Sequence, residues 1–133
     1  MKQNVFAQPM ISVNNVTKSS RWYQKLLGAK SGHGGVEYEQ ILSGKTMILQ
    51  LHAWEIDHHH AGLMGKKSLK SRGNGTILWF LVDDFDAFEI RLKKLKPKVL
   101  KAIAINENAN HREVWLQDLD GYTVVVAGHY DDI

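Results

Sequence analysis

Two side chains in this sequence are suited to moving a proton. His52 ends the stretch KTMILQLH, and Glu113 lies inside HREVWLQ. An imidazole and a carboxylate in a half-apolar cavity can act as base and acid. With His111, two positions before Glu113, they could also make a nonstandard His/carboxylate metal set. The competing reading is structural: His52 and Glu113 hydrogen-bond each other, or an arginine such as Arg112 or Arg72, as buried polar groups must. The same kind of stretch carries stacking surfaces. Trp79 sits in GTILWFLV and Trp115 in HREVWLQ, with Trp54 further along the chain from His52. Indole faces hold planar molecules well. His58-His59-His60 is internal and so is not an expression tag. Adjacent residues share no face of a strand or helix, so the three make a poor chelate and read as a solvated loop.

The elements that must position these residues occur twice. Residues 5–13 (VFAQPMISV) read as a strand and run through Asn14-Asn15 into TKSSRWYQKLLG. Residues 75–82 (GTILWFLV) read as a strand and run through Asp83-Asp84 into FDAFEIRLKKLK. Thr17 is the expected N-cap of the first helix, with Trp22, Tyr23, Leu26 and Leu27 as its apolar stripe and Gly28 as its stop. In the second, Asp83 or Asp84 caps, Phe85, Phe88, Leu92 and Leu95 repeat at helical spacing, and Pro97 ends it. Strand-and-turn sequence follows each helix. EYEQILS and KTMILQLH form a hairpin around Ser43-Gly44, and HREVWLQ and YTVVVAG form one around Asp120-Gly121. The strand 75–82 is apolar on both faces from Ile77 to Val82, which predicts burial on both sides. The whole, 1–133, reads as a single α+β domain of two βαβββ modules, 1–52 and 75–133, joined by a loop 53–74. Neither half can bury both faces of its own sheet, so the modules must pack on each other or on a partner. The loop is long and Gly-containing, suited to be a lid or a plain linker.

Composition narrows the function classes. Of 133 residues, 44% are apolar and 23% charged, ordinary for a globular domain. There is no cysteine, which removes disulfides, thiolate catalysis and thiolate metal sites. No apolar run approaches the roughly 20 residues of a membrane span. The first ten residues lack an apolar core of a signal peptide, so a cytoplasmic protein is expected. The net charge of +3 is concentrated at 66–72 and 91–101. Without interleaved aromatics these clusters argue against nucleic acid and read as a solvated loop and the outer face of a helix.

Three segments together carry a resemblance: SRWYQKLLGA in the first helix, LVDDFDAF leading into the second, and WLQDLDGYTVVV near the end. They resemble the vicinal oxygen chelate superfamily, which includes glyoxalase I, bleomycin-resistance and fosfomycin-resistance proteins and extradiol dioxygenases. Leu119 stands where the family's turn usually has proline. The resemblance implies that the two βαβββ modules curl into half-barrels of a curved mixed sheet, and that the chain forms a homodimer. It also implies four inward strand positions where relatives hold a metal. Here they fall on Gln8, on Gln50 (or Ile48, on the same face), on Ile77 and on Val125. Isoleucine and valine cannot ligate, and two neutral amides cannot offset the dehydration of a divalent ion. No metal and no cofactor are therefore expected.

Strand parity then assigns a lining to the pocket that remains. Gln8, Met10, Gln50 and His52 face inward in the first half. Ile77, Trp79, Leu81, Thr123, His111, Glu113, Trp115 and Gln117 do so in the second. The expected function is binding of a small planar organic molecule in a metal-free pocket, through Gln8, Gln50, His52, Trp79, Glu113 and Trp115. The alternative is a lyase, isomerase or dioxygenase-type enzyme with a nonstandard site on His52 and Glu113. A third possibility is a filled core without a ligand, acting through a dimer surface.

Overall fold

The computed structural model describes residues 4–54 and 63–133. The chain divides into two compact units, Met1–Gln24 with Gly28–Ser68, and Lys25–Leu27 with Leu69–Ile133. The elements run β1 (Met10–Val13), α1 (Val16–Leu27), β2 (Lys30–Gly34), β3 (Tyr38–Ser43), β4 (Thr46–Ala53), β5 (Ile77–Leu81), α2 (Phe85–Leu95), β6 (Lys98–Asn106), β7 (His111–Gln117) and β8 (Thr123–Ala127). This is the order βαβββ, twice. It gives an α+β fold with two open, curved, mixed sheets of four strands.

In the first unit the strand order is β1-β4-β3-β2. β1 lies parallel to β4, and the other two pairings are antiparallel. The long excursion from β1 through α1, β2 and β3 is what lets β4 return parallel to β1. Alternation along the strands sorts the sheet into two faces. Ile11, Val13, Ile41, Leu49 and Leu51 are all buried, and so are Val16, Trp22, Tyr23 and Leu26 of α1. The helix is capped two residues earlier than Thr17 predicts. Asn15 is the N-cap, its side chain accepting from the Lys18 amide at 2.9 Å. A hydroxyl at Thr17 would already lie inside the first turn. Gly28 stops the helix as expected, in the left-handed conformation at φ 63° that a Cβ would strain.

The first strand is also shorter than 5–13. It begins at Met10 because Pro9 has no N–H to place in the ladder. The Pro9 carbonyl still accepts from the Gln50 amide at 2.8 Å, so the chain enters the sheet edge without being a strand.

In the second unit the order is β5-β8-β7-β6, again with one parallel pair, β5 to β8. One face buries Leu78, Val114, Leu116, Val124 and Val126, and α2 buries Phe85, Phe88 and Leu92. Asp84, the second of the two candidate caps, accepts from the Ala87 amide at 3.0 Å. Lys96 ends α2 at φ 52° directly before Pro97, and its amide reaches the Leu92 carbonyl. The basic stretch 91–101 is therefore not one helix face. Its second half is the start of β6.

Burial of 75–82 on both sides is not what the structure has. Ile77, Trp79 and Leu81 are 44%, 46% and 57% exposed, while Leu78 is buried. β5 is an edge strand whose second face is left open. Its apolar residues on that face belong to a surface, not to a core. Among the described residues no helix is long and apolar enough to cross a membrane.

Candidate functional site

The open face of the second sheet is built in rows. Pairing sets Trp79, Val125, Trp115 and Lys101 side by side across four strands. One step along lies Leu81, Ala127, Glu113 and Ala104. One step the other way lies Ile77, Thr123, Gln117 and Lys98. Trp79 and Trp115 meet edge to face with centroids 6.4 Å apart and planes at 87°. His111 meets Trp79 at 5.9 Å. Val125 is fully buried in the row between the two tryptophans.

Glu113 is buried on this face, and every hydrogen bond to it comes from β6 or β7. Its Oε1 accepts from Asn106 Nδ2 at 2.9 Å and lies 2.7 Å from His111 Nε2. Its Oε2 accepts from the Trp115 indole N–H at 2.6 Å. Burial by itself pushes the carboxyl up. The bonds from Trp115, Asn106 and His111, with the His111 charge, outweigh it and hold the group below its ordinary value of 4.5. The expectation that an arginine pairs with Glu113 does not hold. Alternation sends Arg112 to the opposite face, where it stacks 4.7 Å over Phe85 and bonds Asp86 and Asp132. Arg72 instead donates to the Leu69 carbonyl.

Two cavities of about 470 Å³ each touch Trp115. One runs along β6 and β7 past Glu113, Asn106 and Lys101. The other lies between the loop 70–76 and the ends of β7 and β8. Both are within the size range of small-molecule sites.

In the first unit the corresponding face is polar and uncharged. Met10, Gln50 and Gln40 form one row, and Ser12, His52 and Tyr38 the next. The Tyr38 hydroxyl donates to Gln50 Oε1 at 2.6 Å, and Gln50 Nε2 donates to the Gln8 carbonyl at 2.9 Å. Gln50, not Ile48, is thus the residue in register with β1. His52 is buried, and its Nδ1 lies 2.5 Å from the Ala53 carbonyl, which assigns the proton to that nitrogen. Trp54 donates to Asn14 at 3.1 Å.

The sequence reading expects Gln50, His52, Trp79, Glu113 and Trp115 on one pocket surface; Trp79, Glu113 and Trp115 share a face of the second sheet, and Gln50 and His52 share a face of the first. Gln8 precedes β1, and its backbone carbonyl makes the recorded contact. Asn106, Tyr38 and Gln40 were missed. Asn106 is brought to Glu113 by pairing opposite His111 across the β6–β7 turn, which needs the register of a strand the sequence reading did not assign. His58, His59 and His60 lie outside the described residues, as does much of the proposed lid.

The metal positions implied by resemblance do not fit a metal. Ile77 and Val125 present only hydrocarbon, and Gln50 Oε1 is already an acceptor for Tyr38. Among the described residues no three His, Cys, Asp or Glu side chains gather as a cation site.

Comparison with known proteins places this architecture. No curated protein matches the sequence. Solved structures do match in shape. A protein of unknown function from Agrobacterium tumefaciens is 17% identical, with a TM-score of 0.74 over 96% of each chain. A structure described as a conserved domain protein is 21% identical, with a TM-score of 0.70 over 94% of this chain and 98% of that one. The fosfomycin resistance protein FosX from Listeria monocytogenes is 14% identical, with a TM-score of 0.66 over 96% of this chain and 94% of that one. Identities this low speak for the fold alone. A family model matches residues 5–126, nearly the whole length, and by it the chain belongs to the Glyoxalase/Bleomycin resistance protein/Dioxygenase superfamily.

Proposed function

We propose that this protein binds a small planar organic molecule, without a metal, on the tryptophan-bearing face of the second unit. The observation that carries the reading is the Trp79–Trp115 pair. Trp79 is nearly half exposed, held edge to face against a tryptophan whose own N–H is fixed by Glu113. A rigid indole that stays open is costly in water and useful as a stacking wall. The test is a thermal-melting screen of planar aromatic and heteroaromatic compounds. Ligand at 100 times its Kd should add about 2.7 kcal/mol of stability. The reading fails if no compound shifts the melting point, or if Trp79→Ala leaves the shifts unchanged.

The enzyme reading, with His52 and Glu113 as acid and base, has weaker support. A carboxylate satisfied by three donors and held below its ordinary pKa is a poor proton acceptor. The likeness to fosfomycin resistance proteins makes fosfomycin the first substrate to try. Glu113→Gln separates the readings: an acid/base enzyme should lose rate by roughly 100-fold or more, and a binder of a neutral ring should not. Metal-free binding has its own check. Elemental analysis after chelation and dialysis should find no stoichiometric ion, and a retained equivalent of Zn, Ni, Mn or Fe would point to His111 and Glu113.

A homodimer is part of the same proposal. β6 is a nine-residue edge strand with Val99, Leu100 and Ile105 each about half exposed, a surface that a two-fold partner would cover. Light scattering that finds only the single-chain mass at high concentration would count against it.

A further inference from the structure

We infer that the ligand carries an organic cation, a protonated amine or amidine, on a short arm that donates a hydrogen bond to Glu113 Oε2. The inference rests on the proposed stacking site and adds the charge of its ligand and the atom that meets that charge. Glu113 borders the cavity of about 470 Å³ that also takes in Trp115, Asn106, Lys101 and Glu107. The described residues of its lining include two carboxylates and one cation. The two carboxylates differ in kind. Glu107 is exposed in the turn after β6, whereas Glu113 lies in the sheet and is 5% exposed. A charge shielded from water acts more strongly on a neighbour than one in solvent.

Among the described residues one acceptor position of Glu113 is left open. An ionised carboxylate has about four lone-pair sites, two on each oxygen. Oε1 has both of its own taken, by Asn106 Nδ2 at 2.9 Å and His111 Nε2 at 2.7 Å. Oε2 accepts from the Trp115 indole N–H alone, at 2.6 Å. The three bonds keep the carboxyl below its ordinary 4.5, so it is an anion at neutral pH. An anion with one half-used oxygen and a cavity beside it prefers N⁺–H to a neutral donor, because a charge-assisted bond is the stronger one.

The tryptophans favour the same charge. Indole faces attract cations within about 6 Å of the ring centroid. Trp79 and Trp115 occupy the row one same-face step from Glu113, and two residues along a strand span about 7 Å. A ring stacked on them thus reaches Glu113 with a one-carbon arm. Lys101 works against a cation. It is the outermost member of the tryptophan row, on β6, and it is exposed, so solvent and salt weaken its field. The His111 bond needs only a proton on Nε2, which a neutral imidazole supplies.

The test uses one ring and changes only the end group. Isothermal calorimetry on the full chain, at neutral pH and low salt, compares two cations, 2-naphthylmethylamine and 2-naphthamidine, with neutral 2-naphthalenemethanol and anionic 2-naphthoate. At least one cation should bind roughly tenfold or more tighter than the alcohol, with 2-naphthoate the weakest. Glu113→Gln should remove most of that preference and change the affinity for the alcohol little. Lys101→Gln should tighten the cations and loosen 2-naphthoate. Trp79→Ala should weaken every probe. Equal affinity for cations and alcohol, or tightest binding of 2-naphthoate, overturns the inference and leaves the stacking site standing. So does a cation preference that survives Glu113→Gln. Where that variant does not fold, the order of the probes on the unaltered protein and the direction of the Lys101→Gln effect decide. If no probe binds, both proposals fall.

Discussion

The two units share a plan and differ in what they do with one face. On the packed face, Ile11, Val13, Leu49 and Leu51 of the first sheet have as counterparts Phe80, Val82, Val124 and Val126 of the second, hydrocarbon for hydrocarbon. On the open face the same register positions diverge. The row Met10–Gln50–Gln40 in one unit corresponds to Trp79–Val125–Trp115 in the other, and Ser12–His52–Tyr38 corresponds to Leu81–Ala127–Glu113. One unit carries a neutral chain of amide and hydroxyl bonds. The other carries tryptophans around a buried carboxylate. Packing tolerates few side chains on the first face, whereas the second is constrained only by what it must hold. The repeat thus separates scaffold from site.

That separation predicts that the packed faces matter equally. Leu49→Ala in the first unit and Leu116→Ala in the second each empty a fully buried position. Each should cost about 2–5 kcal/mol in chemical denaturation, because the surroundings relax only partly into the cavity. If one proves near neutral, its unit is not packed as described.

The open faces should behave unequally. Trp79→Ala should cost about 2–4 kcal/mol of ligand affinity, roughly 30-fold or more, as aromatic anchors do. Met10→Ala, at the equivalent position of the first unit, should change affinity far less. Similar losses at both positions, read by titration with the best compound of the melting screen, would put the binding surface on both units and end the asymmetry.

Glu113 gives the asymmetry a pH signature. Its carboxyl sits below its ordinary 4.5 in the folded protein, so the unfolded chain binds the proton more readily. Its contribution to stability is complete above the unfolded value and is lost as pH falls through the folded one. Glu113→Gln should cost about 1.5–3 kcal/mol at neutral pH, the range for hydrogen bonds to a charged group. The difference between variant and parent should narrow below pH 4.5. A gap that stays constant to pH 3 would mean that the Asn106, His111 and Trp115 bonds do not favour the ionised form. Gln40→Ala on the first unit should show no such acid dependence.

How much of this was legible follows from range. The doubled pattern, the Gly28 stop and the two hairpins are local signals, and the chain obeys them. Trp79, Glu113 and Trp115 were placed on one face because alternation along a strand is also local. What failed needed information from elsewhere in the fold. β5 reads as buried on both sides because its sequence is apolar throughout, but edge position is a property of strand order. Glu113's partners turn on the pairing of Asn106 with His111, and the cavity beside Arg72 on a loop folding back over the Gly121 turn. The basic run 66–72, read as a solvated loop, is exposed loop through Ser71.

The smallest expected effect compares the helix caps. Asn15 and Asp84 do the same job, each accepting from the amide three residues on, at 2.9 and 3.0 Å. Alanine at either should cost about 1 kcal/mol through the lost bond. Asp84 adds a negative charge at the positive end of the α2 dipole, with Asp86 also in the first turn, whereas α1 has no acidic residue there. Such a charge is worth about 0.3–1 kcal/mol at low ionic strength and is screened by salt. Asp84→Asn keeps the bond and removes the charge. It should therefore cost a few tenths of a kcal/mol in dilute buffer and almost nothing in about 1 M salt, where the Debye length is roughly 3 Å. Asn15→Asp, the reverse exchange, should stabilise by a similar amount and lose that gain in salt. Salt-independent effects of both exchanges would show that the caps act by hydrogen bonding alone, and that the two helices are held equivalently despite their different charge.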